Sequence, residues 1–286
     1  MKRLYHSLLT VFILIQILTA GDSADNQFLE KMDTGLRKVL EIQRKIEHIH
    51  TFLSELHPIA VYKDEKLFIY DYDSSLAQYQ LVKKADSPFP MSPGIRASFP
   101  LSVYENIPAC VVSPDVFEKD EEIVLIFHEF MHCVQYSTVE FRLKEQLKIY
   151  QQAMTNKDYM WEINHPFPYS DSIFVKYYDA FLSALNEKSK AKIIESKKQL
   201  KNHLTELDYE YMTWQEWKEG FARYIENRIK QELGLKENFY GKEKPYNRII
   251  FYYGGELLIK YLYNQHKRSV SDINLLYNQI YHLEIL

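Results

Sequence analysis

The stretch IVLIFHEFMHCVQY, residues 123 to 136, places two histidines and a glutamate inside a run of apolar side chains. Polar groups are costly to bury without partners, so the fold must satisfy His128, Glu129 and His132. The acidic residues just before this stretch favour the start of an α-helix. On a helix, residues four apart share one face, so His128 and His132 project side by side. The stretch therefore predicts a mostly buried helix with one polar stripe.

Two imidazoles at this spacing can bind one Zn²⁺, with the intervening carboxylate close to a water on the metal. The metal lowers the pKa of such a water from about 15.7 toward 7, so a carboxylate can take its proton. The pattern is the His-Glu-x-x-His motif of zincins. It predicts His128 and His132 as zinc ligands and Glu129 as the general base. The alternative is a helix whose histidines are satisfied core groups.

A catalytic zinc needs three protein ligands and an open position, so a third ligand must come from elsewhere in the chain. The metzincin continuation needs glycine and histidine where this chain has Gln135 and Thr138, which excludes that subgroup. Three further residues could serve but have no supporting pattern: Glu162, His165 and His203.

The segment WKEGFARYIE, residues 217 to 226, offers a better candidate on a second predicted helix. In it Glu219 precedes Gly220, and a glycine permits the close approach of another backbone. The run EGFARYIE resembles the third-ligand segment of gluzincin metallopeptidases, especially the aminopeptidase N family. The resemblance implies that Glu219 is the third zinc ligand, with Ala222 and Tyr224 at matching pattern positions.

A second segment, FYYGGELLIKYL at residues 251 to 262, resembles the Tyr-x-x-Gly helix of the same family. Tyr252 and Gly255 occupy the two motif positions. In that family the tyrosine stabilises the tetrahedral intermediate, so the resemblance implies this role for Tyr252. The adjacent Tyr253 is the alternative, because the chain has 23 tyrosines and most must be structural.

The expected fold is α+β and mainly helical, a single zincin-like metallopeptidase domain over residues 21–286. Residues 21–119 are predicted to form N-terminal helices and a small sheet with an edge strand. Residues 120–286 are predicted to carry the active-site helix and the third-ligand helix. These two helices lie much farther apart in the sequence than in the aminopeptidase N family. The difference predicts an inserted helical subdomain at about 140–210.

Several local patterns predict individual elements. Hydrophobic spacing indicates one or two amphipathic helices over residues 26–56, followed by a hairpin around KDEK. Residues 172–206 fit one long charged helix or a helical hairpin. The run TWQE, residues 213–216, fits a capping box that opens the third-ligand helix. A further helix is predicted over residues 247–265, and a last one at the C-terminus.

The run VYEN, residues 103–106, resembles the amine-binding Met-Glu-Asn strand of the aminopeptidases, with Glu105 at the glutamate position. The glycine and methionine of that motif are missing, so the sequence does not predict aminopeptidase activity. Instead it predicts an edge strand beside the cleft, and Pro108 suits such a strand or its start. In zincins the substrate backbone pairs with an edge strand, a form of β-augmentation.

Arg223, one turn from Glu219, has two interpretations. It can bind a substrate carboxylate, or it can pair with an acidic residue of its own helix. Three carboxylates lie within reach on that helix: Glu216, Glu219 and Glu226. The ion pair is the commoner outcome at this spacing.

The N-terminus has the order of a secretory signal peptide, with a basic start, an apolar run from Leu8 to Leu18 and a plausible cut after Ala20. The run is short for a membrane span, which needs about 20 residues. We therefore expect residues 1–20 to be removed and the mature chain, without a membrane span, to be secreted or periplasmic. An uncleaved membrane anchor is the alternative.

Cys110 and Cys133 could form one disulfide, but two buried thiols are favoured.

The amino-acid composition limits the classes of molecule that this protein is expected to bind. The 286-residue chain is 46% hydrophobic with a net charge of −4, and no basic stripe alternates with aromatic residues. Nucleic acid is therefore excluded as an expected partner.

Together the patterns predict a secreted zinc-dependent metallopeptidase that holds one Zn²⁺ and hydrolyses a peptide or protein substrate. The alternative is a catalytically inactive secreted binding or surface protein on a zincin scaffold.

Overall fold

Helices dominate the computed structural model, which describes residues 25–265 and 271–283. Its helical content is 59%, and its strands form one five-stranded mixed sheet, which confirms the mainly helical α+β class. The predicted signal peptide, residues 1–20, lies outside the described residues. Within the described ranges, no helix is both long enough and apolar enough to cross a membrane.

The first half of the chain forms one helix and the sheet. Helix α1 covers residues 25–46 and is followed by a 3₁₀ turn at Thr51–Ser54, so the helical pattern over 26–56 is one helix and a short turn. The strands are β1 (Ile59–Lys63), β2 (Lys66–Asp73), β3 (Gln78–Asp86), β4 (Arg96–Leu101) and β5 (Ile107–Val112). Their order is β3-β2-β1-β5-β4, with β1 and β5 parallel and the other pairs antiparallel. The predicted KDEK hairpin is confirmed as β1–β2.

The strand at the open edge of the sheet near the helix that carries His128 and His132 is β4, and the prediction that residues 103–106 form this edge was wrong. Those residues form a turn between β4 and β5, in which Glu105 and Asn106 have φ of 53° and 57°. Left-handed backbone at two successive residues cannot continue a strand. Pro108 lies in the inner strand β5, where it faces Pro100 of β4.

The outer edge of β4 carries backbone groups that pair with no other strand in the described part of the chain. The Ser113 N–H donates to the Ile95 carbonyl at 3.2 Å, whereas the Cys110 N–H donates away from β4, to a carbonyl just before β1. Antiparallel strands alternate between hydrogen-bonded and unbonded residue pairs. By this alternation Ser98, which faces Cys110, turns its N–H and C=O toward the open edge. The two facing prolines also fall at an unbonded pair, so neither removes a hydrogen bond between the strands.

The second half of the chain is helical. Its helices are α2 (Asp120–Gln135), α3 (Phe141–Lys144), α4 (Lys148–Thr155), α5 (Trp161–Asn164), α6 (Ser172–Asn186), α7 (Lys190–His203), α8 (Glu206–Glu232), α9 (Ile250–Gln265) and α10 (Ile273–Tyr281). A π-helical turn at Tyr136–Glu140 continues α2 into α3. The pattern over 172–206 is the predicted hairpin, formed by α6 and α7. The end of the insertion predicted at about 140–210 falls inside α8.

Helix α8 begins a full two turns before the predicted capping box. Thr205 is its N-cap, and its hydroxyl accepts a hydrogen bond from the Asp208 N–H at 3.1 Å. Thr213, predicted as the N-cap, is buried in the middle of the helix, where its hydroxyl donates to the Tyr209 carbonyl at 2.8 Å. A threonine that bonds back to the preceding turn is compatible with a helix interior. The prediction was wrong because two capping patterns occur in succession and the first one is used.

Two glycines allow α8 and α9 to touch through their backbones. A Cβ added to Gly220 would lie 2.6 Å from the Cα of Gly255, and one added to Gly255 would overlap the Glu216 carbonyl. The close approach predicted for Gly220 is therefore confirmed, and its partner is the glycine of the Tyr-x-x-Gly segment. Because of this contact, the residues at the start of α9 lie directly beside those in the middle of α8.

A buried ion pair joins the helical hairpin to α8. Lys197 of α7 and Glu216 of α8 are both fully buried and in direct contact. Glu216 also accepts a hydrogen bond from the Tyr178 hydroxyl of α6 at 3.0 Å. The ammonium group of Lys197 lies over two aromatic rings. The hairpin of α6 and α7 is thus attached to α8 through charge as well as apolar packing.

The two cysteines are buried, unbonded thiols, as the sequence favoured. Cys110 lies on β5 and Cys133 on α2. Burial raises the pKa of both thiols. Both are therefore protonated at neutral pH and belong to the core.

Glu256 of α9 is a buried carboxyl group, only 1% exposed, and one of its oxygens has no hydrogen-bond partner. Burial raises its pKa from 4.5 to about 7. The folded state therefore holds this proton over a pH range in which the unfolded chain has released it. Stability from this group is fully present below pH 4.5 and is lost as the pH rises to about 7.

We expect Glu256→Gln to raise the free energy of unfolding by about 2 to 3 kcal/mol relative to the parent protein at pH 8. At pH 4 the two proteins should differ little, since both then carry a neutral side chain. Urea unfolding at both pH values measures the difference. Glu243→Gln, an exposed carboxylate in the loop before α9, is the matched control. A difference that does not depend on pH would contradict the assignment.

Candidate metal centre

Three predicted ligand side chains converge between α2 and α8. His128 and His132 stand one turn apart on α2, and Glu219 projects from α8. The Glu219 Oε2 lies 3.7 Å from His128 Nε2 and 3.3 Å from His132 Nε2. One ligand atom from each residue lies within 4.8 Å of the other two, and all three side chains are largely buried. The spacing on α2 and the crossing of α8 together create this cluster.

The outer nitrogen of each imidazole is held by an acceptor. His128 Nδ1 lies 3.0 Å from Glu226 Oε2, and His132 Nδ1 lies 2.9 Å from Gln135 Oε1. The Gln135 amide is oriented by its own hydrogen bond to the Lys218 carbonyl at 3.3 Å. Since carboxylate and amide oxygens only accept, each Nδ1 carries a proton in the neutral ring.

This tautomer leaves the Nε2 lone pairs of His128 and His132 facing the Glu219 carboxylate. Three electron donors then meet in a buried site, an arrangement that is repulsive unless a cation lies among them. Two imidazole nitrogens and one carboxylate oxygen are a donor set that suits Zn²⁺. Histidine ligands of zinc commonly donate their other N–H to a carboxylate or carbonyl oxygen, as both do here. The residues present therefore fit the metal that the sequence predicts.

The charges around the cluster favour a cation. Burial lowers the pKa of the His128 imidazole, but hydrogen bonds to Glu219 and Glu226 outweigh burial and raise that pKa to about 9. Burial would raise the pKa of Glu219, but the nearby His132 and His128 hold it well below its usual value. Glu226 stays ionised because of His128 and the cationic Arg223 and Lys230. Protons and metal ions are thus expected to compete for the same site.

Glu129 differs from every other acidic residue that lines the surrounding cavity. It is only 8% exposed, yet its carboxylate has no hydrogen-bond or ion-pair partner among the described residues. The others are paired: Glu162 with Lys144 and Lys218, Glu219 with the two histidines, and Glu226 with His128, Arg223 and Lys230. A carboxylate that faces a cavity without an ion-pair partner, while its acidic neighbours are all paired, is a candidate functional group.

Tyr252 lines the same cavity, and Tyr253 does not. The Tyr252 ring stacks on His128 with 6.4 Å between ring centroids. Burial, followed by the charge of Glu219, raises the pKa of the Tyr252 hydroxyl well above its usual value. The hydroxyl is therefore a hydrogen-bond donor at neutral pH. Tyr253 instead packs edge-on against Phe239.

The cluster lies at the base of an open cavity of about 460 Å³. The lining includes Arg96, Ala97 and Ser98 of the edge strand β4. A second cavity of about 270 Å³ shares five lining residues with the first, among them Ser98 and His132, and extends along β4. The edge strand thus borders a cleft that passes the candidate ligands.

No family model, no curated protein and no solved structure matches this chain.

The remaining sequence candidates lie away from the ligand cluster. His165 pairs with Asp208 and His203 with Asp171, each at 2.7 Å. Glu162 lines the cavity, but its two lysine partners hold it. The other candidates from the resemblance do not line the cavity: Glu105, Ala222 and Tyr224.

Arg223 forms an ion pair with Glu226 at 3.1 Å, one of the three partners expected on its own helix. Its guanidinium also donates to the carbonyls of Asn238 and Tyr240, at 3.1 and 3.3 Å. These contacts support the structural interpretation of Arg223. The guanidinium holds Glu226, which in turn holds His128.

Sequence reasoning missed the roles of Glu226 and Gln135. Glu226 follows Glu219 by seven residues, so the two lie on one face of α8, and Gln135 follows His132 by one turn. This spacing could have indicated that both residues lie near the ligand cluster. It could not show which imidazole each residue contacts, because that depends on how α2 and α8 cross.

We expect Glu226→Gln to weaken zinc binding about 10- to 100-fold, the usual effect of removing the partner of a histidine ligand. The amide can still accept from His128 Nδ1 but no longer adds negative charge behind the ring. Competition with a chromogenic chelator at pH 7 measures the affinity. Glu232→Gln, at the end of the same helix, is the control. Unchanged affinity in Glu226→Gln would contradict the assigned role.

Proposed function

We propose that this chain is a zinc-dependent metallopeptidase of the gluzincin type, built on a zincin-like domain and acting as a secreted or periplasmic enzyme. One observation carries the proposal. Glu129, a buried carboxylate without a partner in the described part of the chain, borders a cavity beside three converging ligand atoms. A metal-binding structural site would not need this carboxylate, whereas hydrolysis needs a general base at that place.

His128, His132 and Glu219 would hold one Zn²⁺, and Glu226 and Gln135 would orient the two imidazoles. When bound, the metal supplies a Lewis acid that polarises a carbonyl group and lowers the pKa of water. Three protein ligands beside an open cavity leave room for a substrate, as a catalytic zinc site requires.

The chain's own residues supply the proton transfers. Glu129 is placed to take a proton from the attacking water and to deliver it to the leaving amine nitrogen. Tyr252 is placed to donate a hydrogen bond to the carbonyl oxygen as negative charge develops on it. Because its pKa is raised, the tyrosine keeps the proton that this role requires.

The cleft suits an extended peptide. Ser98 on β4 presents a backbone N–H and C=O with which a substrate backbone can pair. Three apolar side chains that also line the cavity are unusually exposed, namely Tyr159 (73%), Met160 (52%) and Ile163 (56%). Exposed apolar groups at a cleft favour a substrate that brings apolar side chains. These features support a peptide substrate over a small polar one.

The test is metal content together with peptide hydrolysis by the purified mature chain. We expect one zinc per chain and cleavage of a mixed peptide library, with cleavage abolished by a chelator and restored by Zn²⁺. Stoichiometric zinc without cleavage would overturn the proposal and favour a binding protein on a zincin scaffold. The absence of stoichiometric zinc would overturn both.

A further inference from the structure

Four cationic side chains line the cavity, and three of them hold acidic partners at 3.2 Å or less. Arg96 contacts Asp115 at 2.9 Å and Glu122 at 3.2 Å. Lys218 contacts Glu140 at 3.1 Å and Glu162 at 2.8 Å. Arg223 holds Glu226 and two backbone carbonyls. The fourth is Arg248, which lies in the turn that leads into α9.

The contacts of Arg248 are weak and use one nitrogen. Its NH1 lies 3.4 Å from Gln215 Oε1 and 3.4 Å from Glu219 Oε1. Its Nε and its other terminal nitrogen have no partner among the described residues. The side chain is 30% exposed, and it faces the same cavity as the ligand cluster. Arg248 therefore offers unused donors at the site.

An aromatic ring also holds the guanidinium. Its Cζ lies over the Tyr252 ring at 5.3 Å from the centroid, in the geometry of a cation–π contact. A guanidinium over a ring still presents its planar fork of N–H donors at its edge. Such a fork matches the two oxygens of a carboxylate.

The position of Arg248 relative to the ligands limits where an acidic group can lie in the substrate. Arg248 touches one oxygen of the Glu219 carboxylate, and the other oxygen of that carboxylate faces the two histidines. An extended substrate peptide spans about 3.3 to 3.6 Å per residue. A substrate carboxylate that binds the unused nitrogens of Arg248 therefore lies within about two residues of the cleaved bond.

We propose that Arg248 binds a substrate carboxylate and makes the enzyme select peptides with an acidic group next to the cleaved bond. The inference rests on the proposed function. The carboxylate can be the free C-terminus of the peptide or an aspartate or glutamate side chain, since both present the same pair of oxygens. Arg248 is thus a specificity-determining residue, and Glu129 and Tyr252 perform the chemistry.

The test compares peptides of one core sequence in three forms: free acid, C-terminal amide, and amide with glutamate next to the cleaved bond. We expect the parent enzyme to cleave at least one carboxylate-bearing form with a kcat/KM about 10- to 100-fold above that of the plain amide, the usual range for a charge-assisted hydrogen bond. Arg248→Met should bring the ratio of kcat/KM between the carboxylate-bearing form and the plain amide to about one, mainly through a higher KM for the carboxylate-bearing form. Preference for the free acid or for the glutamate peptide identifies the source of the carboxylate.

A binding measurement separates this inference from the catalytic proposal. Fluorescence anisotropy of labelled peptides on zinc-loaded Glu129→Gln should show tighter binding of a carboxylate-bearing form, and Arg248→Met in that background should abolish the difference. Lys242→Met, an exposed cation of the preceding loop, loses the same charge and should keep the difference. Equal binding of all forms, or binding of none, overturns the inference.

Arg248 could instead act only by positioning Glu219. Arg248→Met would then lower zinc affinity and reduce kcat/KM equally for all three peptides, and that result also overturns the inference. If the parent enzyme cleaves no peptide but binds the carboxylate forms selectively, the proposed hydrolysis fails and the carboxylate site remains.

Discussion

Glu129→Gln is expected to lower kcat for peptide hydrolysis by about 10²- to 10⁴-fold, the usual contribution of a general base. The amide has nearly the shape of the carboxylate but cannot accept the proton of the attacking water. Zinc content should stay at the parent level, because none of the three ligands is changed. Steady-state kinetics and metal analysis of the same preparation measure both quantities.

Glu121→Gln is the matched control for this variant. Glu121 lies on the same helix with an exposed side chain, so its replacement removes the same charge without touching the cavity. We expect its turnover within twofold of the parent enzyme. Parent-level turnover in Glu129→Gln would show that the mechanism is wrong, and a loss of zinc in that variant would place Glu129 among the ligands instead.

Lys197→Met is expected to lower the free energy of unfolding by about 3 to 5 kcal/mol, the usual cost of breaking a buried ion pair. The substitution leaves the Glu216 carboxylate buried without its cation. Glu216 lies on the same helix as Glu219, so the proposed zinc site should also become less stable. Urea unfolding, monitored by tryptophan fluorescence at a fixed zinc concentration, measures the loss.

A second substitution tests whether the loss comes from the charge. In Lys197→Met with Glu216→Gln, no charge is left buried, and the amide oxygen can still accept from the Tyr178 hydroxyl. We expect the double variant to regain most of the lost stability, since neutral replacements of buried ion pairs are often well tolerated. A double variant as unstable as the single one would place the loss in packing.

Part of the candidate ligand cluster could be predicted from the sequence, because the spacing of residues on a helix determines which side chains share a face. His128 and His132 share a face whatever else the chain does, and Glu129 is fixed beside them. Glu219 needed the resemblance, because nothing local links it to α2. The mainly helical class followed from hydrophobic spacing for the same reason.

The sequence could not predict features that depend on tertiary packing or on a choice between equal local signals. Thr205 and Thr213 both begin capping patterns, and only the packed structure shows that α8 runs through the second. Residues 103–106 have strand-like composition, but Glu105 and Asn106 take left-handed backbone and form a turn. No sequence pattern singled out Arg248. Its unused donors can be recognised only in the structure, which shows that the other cations of the cavity are paired with acidic residues.

The neighbouring glycines of α9 set a common spacing for two parts of the molecule. Gly255 lies against the backbone of α8, and Gly254 lies against the Tyr178 hydroxyl of α6. At this turn α9 packs against α8 on one side and against α6 on the other, and Tyr178 of α6 also reaches Glu216 of α8 directly. A methyl group on Gly255 would push α9 away from α8 and displace Tyr252 from Glu219, and one on Gly254 would push α9 away from α6. One turn of α9 therefore sets both the position of Tyr252 beside the candidate ligands and the position of α6, so a substitution there affects both.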